Sequence, residues 1–279
     1  GRAPVTLPVN IRRNEHFHTV EPGGKAPVPV LLPREAQVGP DDCYVPGGWM
    51  LLGNNPIQRV WVDPFVIRRQ PVTNAEYMEF LDSLVGQGRE EAALRFQPQM
   101  AGGPCYARGQ DGYFRPPSGP DDDAWLPDRP VACVDHASAT AFAAWLASRT
   151  GFAWRLPWED EWEKAARGVD GRPYVMGEFL DPSWADVRGS APEPPFKSID
   201  AYPDDTSVYG VRNLTGITGD WCADAWRTKI RIEGERVVRR AARPEEDARA
   251  VWRGGFRNVP HAMATTYARH GALIGRRMS

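Results

Sequence analysis

Residues Arg155 to Gly168, R-L-P-W-E-D-E-W-E-K-A-A-R-G, constrain this chain more than any other stretch. Pro157 suits a first helical turn, where its missing N–H is no loss, and the acids that follow sit where a helix dipole favours negative charge. Lys164 and Arg167 lie near the other end, and Gly168 can take a left-handed stop. Trp158, Trp162, Ala165 and Ala166 fall at i, i+4, i+7 and i+8, so the spacing predicts a short helix with one apolar stripe toward a core. The same spacing puts Glu159 and Glu163 on a solvated outer face.

That helix must belong to a sizeable domain. The chain has 279 residues, 42% hydrophobic and 25% charged, enough for one large core or two small ones. A net charge of −2 carries no electrostatic footprint for nucleic acid or an anionic membrane. No apolar run approaches the ~18 residues of a membrane span and no signal peptide opens the chain, so a cytoplasmic location is expected. The first residue is Gly1, which leaves room for an upstream segment in the native protein. The 27 glycines, 27 prolines and 11 tryptophans predict long irregular segments held by aromatic anchors. Cys43, Cys105, Cys133 and Cys222 form no C-x-x-C pair, which argues for scattered free thiols over zinc ligands or a disulfide framework.

In chain order, residues 1–42 read as an N-terminal β arm or linker, with alternating stretches at 5–9 and 28–32 and prolines that would confine them to edges. The main domain, 43–279, opens at Cys43-Tyr44-Val45-Pro46-Gly47-Gly48-Trp49-Met50-Leu51-Leu52-Gly53. Strands are expected at 59–63 and 65–67. Thr73 and Glu76 form a capping box for a helix that buries Tyr77, Phe80, Leu81 and Leu84. Residues 86–129 read as a polar loop, and 130–134 as a buried strand. Asp135 caps a helix with Ala141, Phe142, Trp145 and Leu146 inward, closed at Thr150-Gly151.

Several of these strings occur together in one known family. R-L-P-W-E-D-E-W-E-K-A-A-R-G, Gln70-Pro71-Val72-Thr73-Asn74, Asp204 to Val211, Asn213 to Cys222, Arg253-Gly254-Gly255 and Ile274-Gly275-Arg276 resemble, in order, the motifs of the formylglycine-generating-enzyme (sulfatase-modifying factor) family. The resemblance covers about residues 43–279. It implies an α+β, C-type-lectin-like, loop-rich fold with few helices around small antiparallel sheets, and a C-terminal segment lining the ligand or active-site face.

It also sets a test for chemistry, because fold does not fix function. Aerobic members of the family hold copper(I) on two cysteine thiolates after the R-G-G motif, the soft ligands that metal needs. This chain has no cysteine after Cys222. Iron-dependent sulfoxide synthases of the family use histidines; His16, His18, His136, His261 and His270 show no helical i, i+4 pair. Ile217 stands where the family's calcium ligand Asn is expected, and Asp186 and Asp220 keep carboxylates nearby, so the sequence leaves at most a weak calcium site. No cofactor is expected, and no catalytic residue is assigned.

The informative departure is the terminal segment, about 253–279. Phe256, Arg257, Asn258, His261, Thr265, Tyr267 and His270 combine rigid aromatic area with adaptable hydrogen bonding, as recognition loops do, and Trp221 is a candidate floor. In this the chain resembles the variable proteins of diversity-generating retroelements, which share the fold and diversify this segment. It also resembles family members fused to bacterial serine/threonine kinases. Three functions are therefore carried forward: a ligand-binding or display module for a protein or small molecule, a fixed sensor behind an upstream signalling domain, and a metal-dependent oxygenase or oxidase.

Overall fold

Local capping is where sequence and structure meet most directly. In the computed structural model, which describes residues 1–11, 19–119, 122–190, 197–227, 230–239, 248–256 and 259–277, helix α1 (Asn74–Gly86) begins at Thr73. The Glu76 N–H donates to Thr73 Oγ1 at 3.3 Å and the Thr73 N–H to Glu76 Oε2 at 3.0 Å, closing the expected box. Helix α2 (Glu90–Phe96) follows within the stretch expected to be loop. Helix α3 (His136–Thr150) starts where Asp135 Oδ1 accepts the Ser138 N–H at 2.8 Å, and ends at Gly151 with φ 75°. Tyr77, Phe80, Leu81, Leu84 and Phe142 meet in an apolar core between α1 and α3, with Trp145 and Leu146 packed on its edge.

Strands β1 (Asp42–Val45), β2 (Gly48–Leu52), β3 (Gln58–Val62) and β4 (Phe65–Arg68) precede α1. β1 pairs antiparallel with β4, and β2 with β3. Two short ribbons, β5 (Gln99–Met100) with β6 (Gly103–Pro104) and β7 (Ala107–Arg108) with β8 (Phe114–Arg115), cross the polar stretch before α3. Residues 130–134 are mostly buried but do not form a strand, because Cys133 takes φ 58° and breaks the extended run. Strands are also absent at 5–9 and 28–32. Among the described residues before β1, pairing is limited to the Arg2–Arg34 bridge, as the prolines there remove ladder donors.

Helix α4 (Glu159–Arg167) starts later than expected: Pro157 precedes it and Trp158 is its half-buried N-cap, so the stripe that packs on Cys43, Val45, Val211 and Val251 is Trp162, Ala165 and Ala166. After it come β9 (Asp220–Ala225), the hairpin β10 (Arg231–Glu233) and β11 (Arg236–Val238), β12 (Arg249–Arg253) and β13 (His270–Leu273). β12 lies between β13 and β9. The hairpin joins the β2–β3 sheet, β11 running parallel to β3. The result is an α+β architecture of few helices, small sheets and long loops.

Candidate functional site

One expectation from the sequence is overturned at α4: Glu159 and Glu163 are not on a solvated face. Every residue of the helix is buried, Glu159 to 1% and Glu163 to 2% exposure. Buried carboxylates survive only with partners, and these come from far along the chain. Glu163 is flanked by Arg167, at 3.0 Å, and Arg253, and also accepts the Gly53 N–H at 2.7 Å. Arg167 itself donates to the carbonyls of Leu51 and Gly171 at 2.9 and 2.7 Å. Glu159 takes Arg269 Nε at 2.5 Å. Lys164 Nζ donates to the Gly48 and Val62 carbonyls, both at 3.1 Å, and burial lowers its pKa to about 7.

This ionic lattice holds the terminal segment through backbone carbonyls and through two of its own side chains, Thr266 and Arg269. Arg253 donates to the Thr266 carbonyl at 3.0 Å and the Tyr267 carbonyl at 3.5 Å, while Thr266 Oγ1 donates to the Arg172 carbonyl at 2.7 Å. Arg269 reaches the Trp226 carbonyl at 2.7 Å. The preceding glycines let the chain pass close by. Gly254 takes φ 81°, and a Cβ on Gly255 would lie 2.4 Å from the Thr215 carbonyl oxygen.

The predicted binding residues divide over this frame. Phe256 lies 5.5 Å from Trp252, and His270 stacks on the same indole at 4.1 Å, so those three rings form one cluster at the end of the sheet. His270 Nε2 faces the Met263 carbonyl at 3.0 Å, and burial lowers its pKa. His261 Nε2 lies 3.1 Å from the Arg188 carbonyl, tying the segment to the loop after α4. Tyr267 is half-buried with its ring over Arg167 at 5.3 Å. Thr265 is buried, 3% exposed, and offers no surface contact. Trp221 pairs across the strands with Trp252, is itself buried, and donates to the Val134 carbonyl at 3.2 Å. Arg257 and Asn258 lie outside the described residues.

Sequence reading missed Trp252, the centre of the ring cluster, which it absorbed into the strand of the R-G-G motif. It also missed Phe179, 64% exposed and 5.2 Å from Trp184, on the loop whose Leu180 and Ala185 pack against Ala264. Of the two rings Phe179 is exposed and Trp184 half-buried. Their signal was only the composition of an irregular stretch.

Beneath the frame, the carboxylates of Asp205 and Asp220 accept from neighbours in the chain. Asp205, wholly buried, accepts the Thr215 and Gly216 N–H groups at 3.1 and 3.2 Å, and burial pushes its pKa up to about 6. Asp220 Oδ2 accepts Trp162 Nε1 at 2.8 Å. Ile217, with φ 71°, turns an apolar side chain into the interior. Among the described residues no three His, Cys, Asp or Glu side chains converge as a metal group.

Comparison with known proteins identifies the scaffold. The family model described as "Sulfatase-modifying factor enzyme 1-like domain" matches residues 28–278. The Bos taurus formylglycine-generating enzyme is 29% identical over 244 residues, 74% of this chain and 60% of that protein. The chain thus spans about 60% of that relative's length. Among solved structures, PvdO from Pseudomonas aeruginosa superposes with a TM-score of 0.63 at 22% identity, covering 91% of this chain and 96% of that one. Treponema denticola variable protein 1 superposes with a TM-score of 0.57 at 18% identity, covering 86% and 96%. Both share the C-type-lectin-like fold expected from the sequence.

Proposed function

Because this chain belongs to the sulfatase-modifying factor enzyme 1-like domain family, we propose that it uses the family scaffold as a non-catalytic ligand-binding module. Its recognition surface is formed by the outward side chains of about 253–277, with the Phe179–Trp184 loop beside them. One observation carries this reading. The segment's backbone is pinned by Arg253, Thr266 and Arg269, while Phe256, His261, Met263, Tyr267 and His270 stay at or near the surface. A binding loop needs that separation, because side chains can then vary without loss of the fold. The absence of cysteine after Gly255 removes the thiolate pair on which the family's copper oxidases depend. The likeness to a variable protein supports a diversified version of the surface. A fixed sensor behind an upstream signalling domain uses the same surface without diversification.

The test is a display library with Phe256, His261, Tyr267 and His270 randomised together, set beside a library randomised at Glu163, Arg253 and Thr266. Most members of the first library fold, judged by binding of a conformation-dependent antibody, and selection against arbitrary proteins yields binders. The second library mostly fails to fold. Equal loss of folding in both would overturn the reading. So would consumption of dioxygen by the protein supplied with copper(I) or iron(II), which would restore the oxidase alternative. Sequencing the 3′ end of the gene across many isolates separates the display reading from the fixed sensor.

A further inference from the structure

The four free thiols are far apart in sequence, but the fold brings two of them together. Cys105 directly follows the β5–β6 ribbon, and its N–H donates to the Pro98 carbonyl at 2.9 Å. Cys133 lies just before α3, and its carbonyl accepts the Gln99 N–H at 3.1 Å. Pro98-Gln99 thus holds both cysteines by the backbone. Their side chains meet in the core of α1 and α3, hydrogen-bonded to one another. Cys133 takes φ 58°, which few side chains tolerate, and backbone strain of this kind clusters at functional sites.

The pair is not sealed. Cys133 lines a cavity of about 370 Å³ together with Gln99, Met100, Ala101, Gly275 and Arg277, and Met100 is exposed. The Arg277 guanidinium donates to the Gln97 carbonyl and, at 3.1 Å, to the Arg95 carbonyl. No carboxylate pairs with Arg277 among the described residues, whereas Arg95 is committed to Asp135 at 2.9 Å. The cavity therefore carries one uncompensated positive charge beside a thiol.

This arrangement ranks the two sulfurs. The bond from Cys105 lowers the pKa of Cys133 against the pull of burial, and Arg277 acts the same way. The same bond, with burial, raises that of Cys105. Cys133 is thus the better nucleophile, and it is the one that faces the cavity. Cys105 stands behind it, in reach of its sulfur.

We propose that Cys133 and Cys105 form a thiol–disulfide exchange site for a small anionic disulfide, with Cys133 attacking, Cys105 resolving and Arg277 receiving the guest's negative charge. The Cys133 thiolate attacks one guest sulfur, so that a mixed disulfide forms on Cys133, the guest S–S bond breaks and one guest thiolate leaves. That thiolate takes the Cys105 proton. Cys105 then attacks the Cys133 sulfur and expels the second guest thiolate, which takes from water the proton that Cys133 first gave up. The protein dithiol ends oxidised to one disulfide and the guest reduced to two thiols, with no other oxidant.

The experiment exposes the whole folded chain to dithiodipropionate or, as its cationic counterpart, cystamine. Reaction is quenched by alkylation and mapped by mass spectrometry of peptides. Wild type gives a Cys105–Cys133 disulfide that dithiothreitol reverses, while Cys43 and Cys222, buried elsewhere, stay reduced. Cys105→Ser stops at the mixed disulfide on Cys133. Rates divided by those of each reagent with N-acetylcysteine, which removes intrinsic reactivity, favour the anionic disulfide by about 5-fold or more. Arg277→Gln removes that preference. Should either variant fail to fold, the wild-type map and the two normalised rates decide by themselves. The proposal is overturned by absence of the Cys105–Cys133 bond, by equal reaction of Cys43 and Cys222, or by normalised rates that do not favour the anion.

Discussion

The two halves of the interior are stabilised in opposite ways. Around α1 and α3 the core is apolar, built of stacked and edge-on rings such as Tyr77 on Phe142 and Phe80 on Phe142, and the polar residues at its helix ends serve as caps. Around α4 the core is ionic, and a helix with a strongly polar sequence is buried on every side. The apolar half tolerates loose partners because each contact is small and non-directional. The ionic half must be matched group by group, since one missing partner strands a charge away from water. That demand suits a support for a recognition surface, because it fixes the backbone beneath the surface in one geometry.

The largest effect should come from unpairing the ionic half. Arg253→Met leaves Glu163 with Arg167 as its remaining cation and removes the anchors of the Thr266 and Tyr267 carbonyls. A loss of about 3–5 kcal/mol is expected in urea unfolding. A loss below about 1 kcal/mol would show that the ion pairs are decoration and would erase the contrast. In the apolar half, Leu81 is wholly buried, and Leu81→Ala should cost about 3 kcal/mol with no change in the geometry of the terminal segment. Hydrogen exchange at residues 265–270 separates the two cases: Arg253→Met speeds it more than the overall loss of stability explains, and Leu81→Ala does not.

The smallest effect sharpens the comparison through pH. Burial raises Asp205 from 3.8 to about 6, so the folded state holds its proton longer than the unfolded chain. Wild-type stability therefore falls as pH rises through that window. Asp205→Asn removes this fall, and its stability relative to wild type should climb between pH 3.8 and about 6 and then level off. Asp135, the cap of α3, behaves oppositely. Against the pull of burial, the Ser138 bonds and Arg95 hold it below its ordinary value, so its contribution is present above that value and lost as pH falls. An Asp205→Asn variant that tracks wild type across the window would mean that the carboxylate titrates as if exposed.

The sequence by itself determined the local rules. The Thr73–Glu76 box, the Asp135 cap, the Gly151 stop, the apolar face of α1 and the stripe of α4 all follow from residues within a few positions of one another, and the family motifs carried the fold. What only the tertiary structure decided was the fate of polar groups. Helical periodicity reports which side chains are apolar, not whether a carboxylate will meet an arginine from a distant strand. Glu163 therefore reads as surface until Arg253 arrives on β12, and Glu159 until Arg269 does. The same holds for the terminal site. Composition picked out the rings of Phe256 and His270, but Trp252, which brings them together, depended on strand register. Thr265 and Trp221 turned inward for a reason no spacing encodes, namely the side from which the rest of the chain packs.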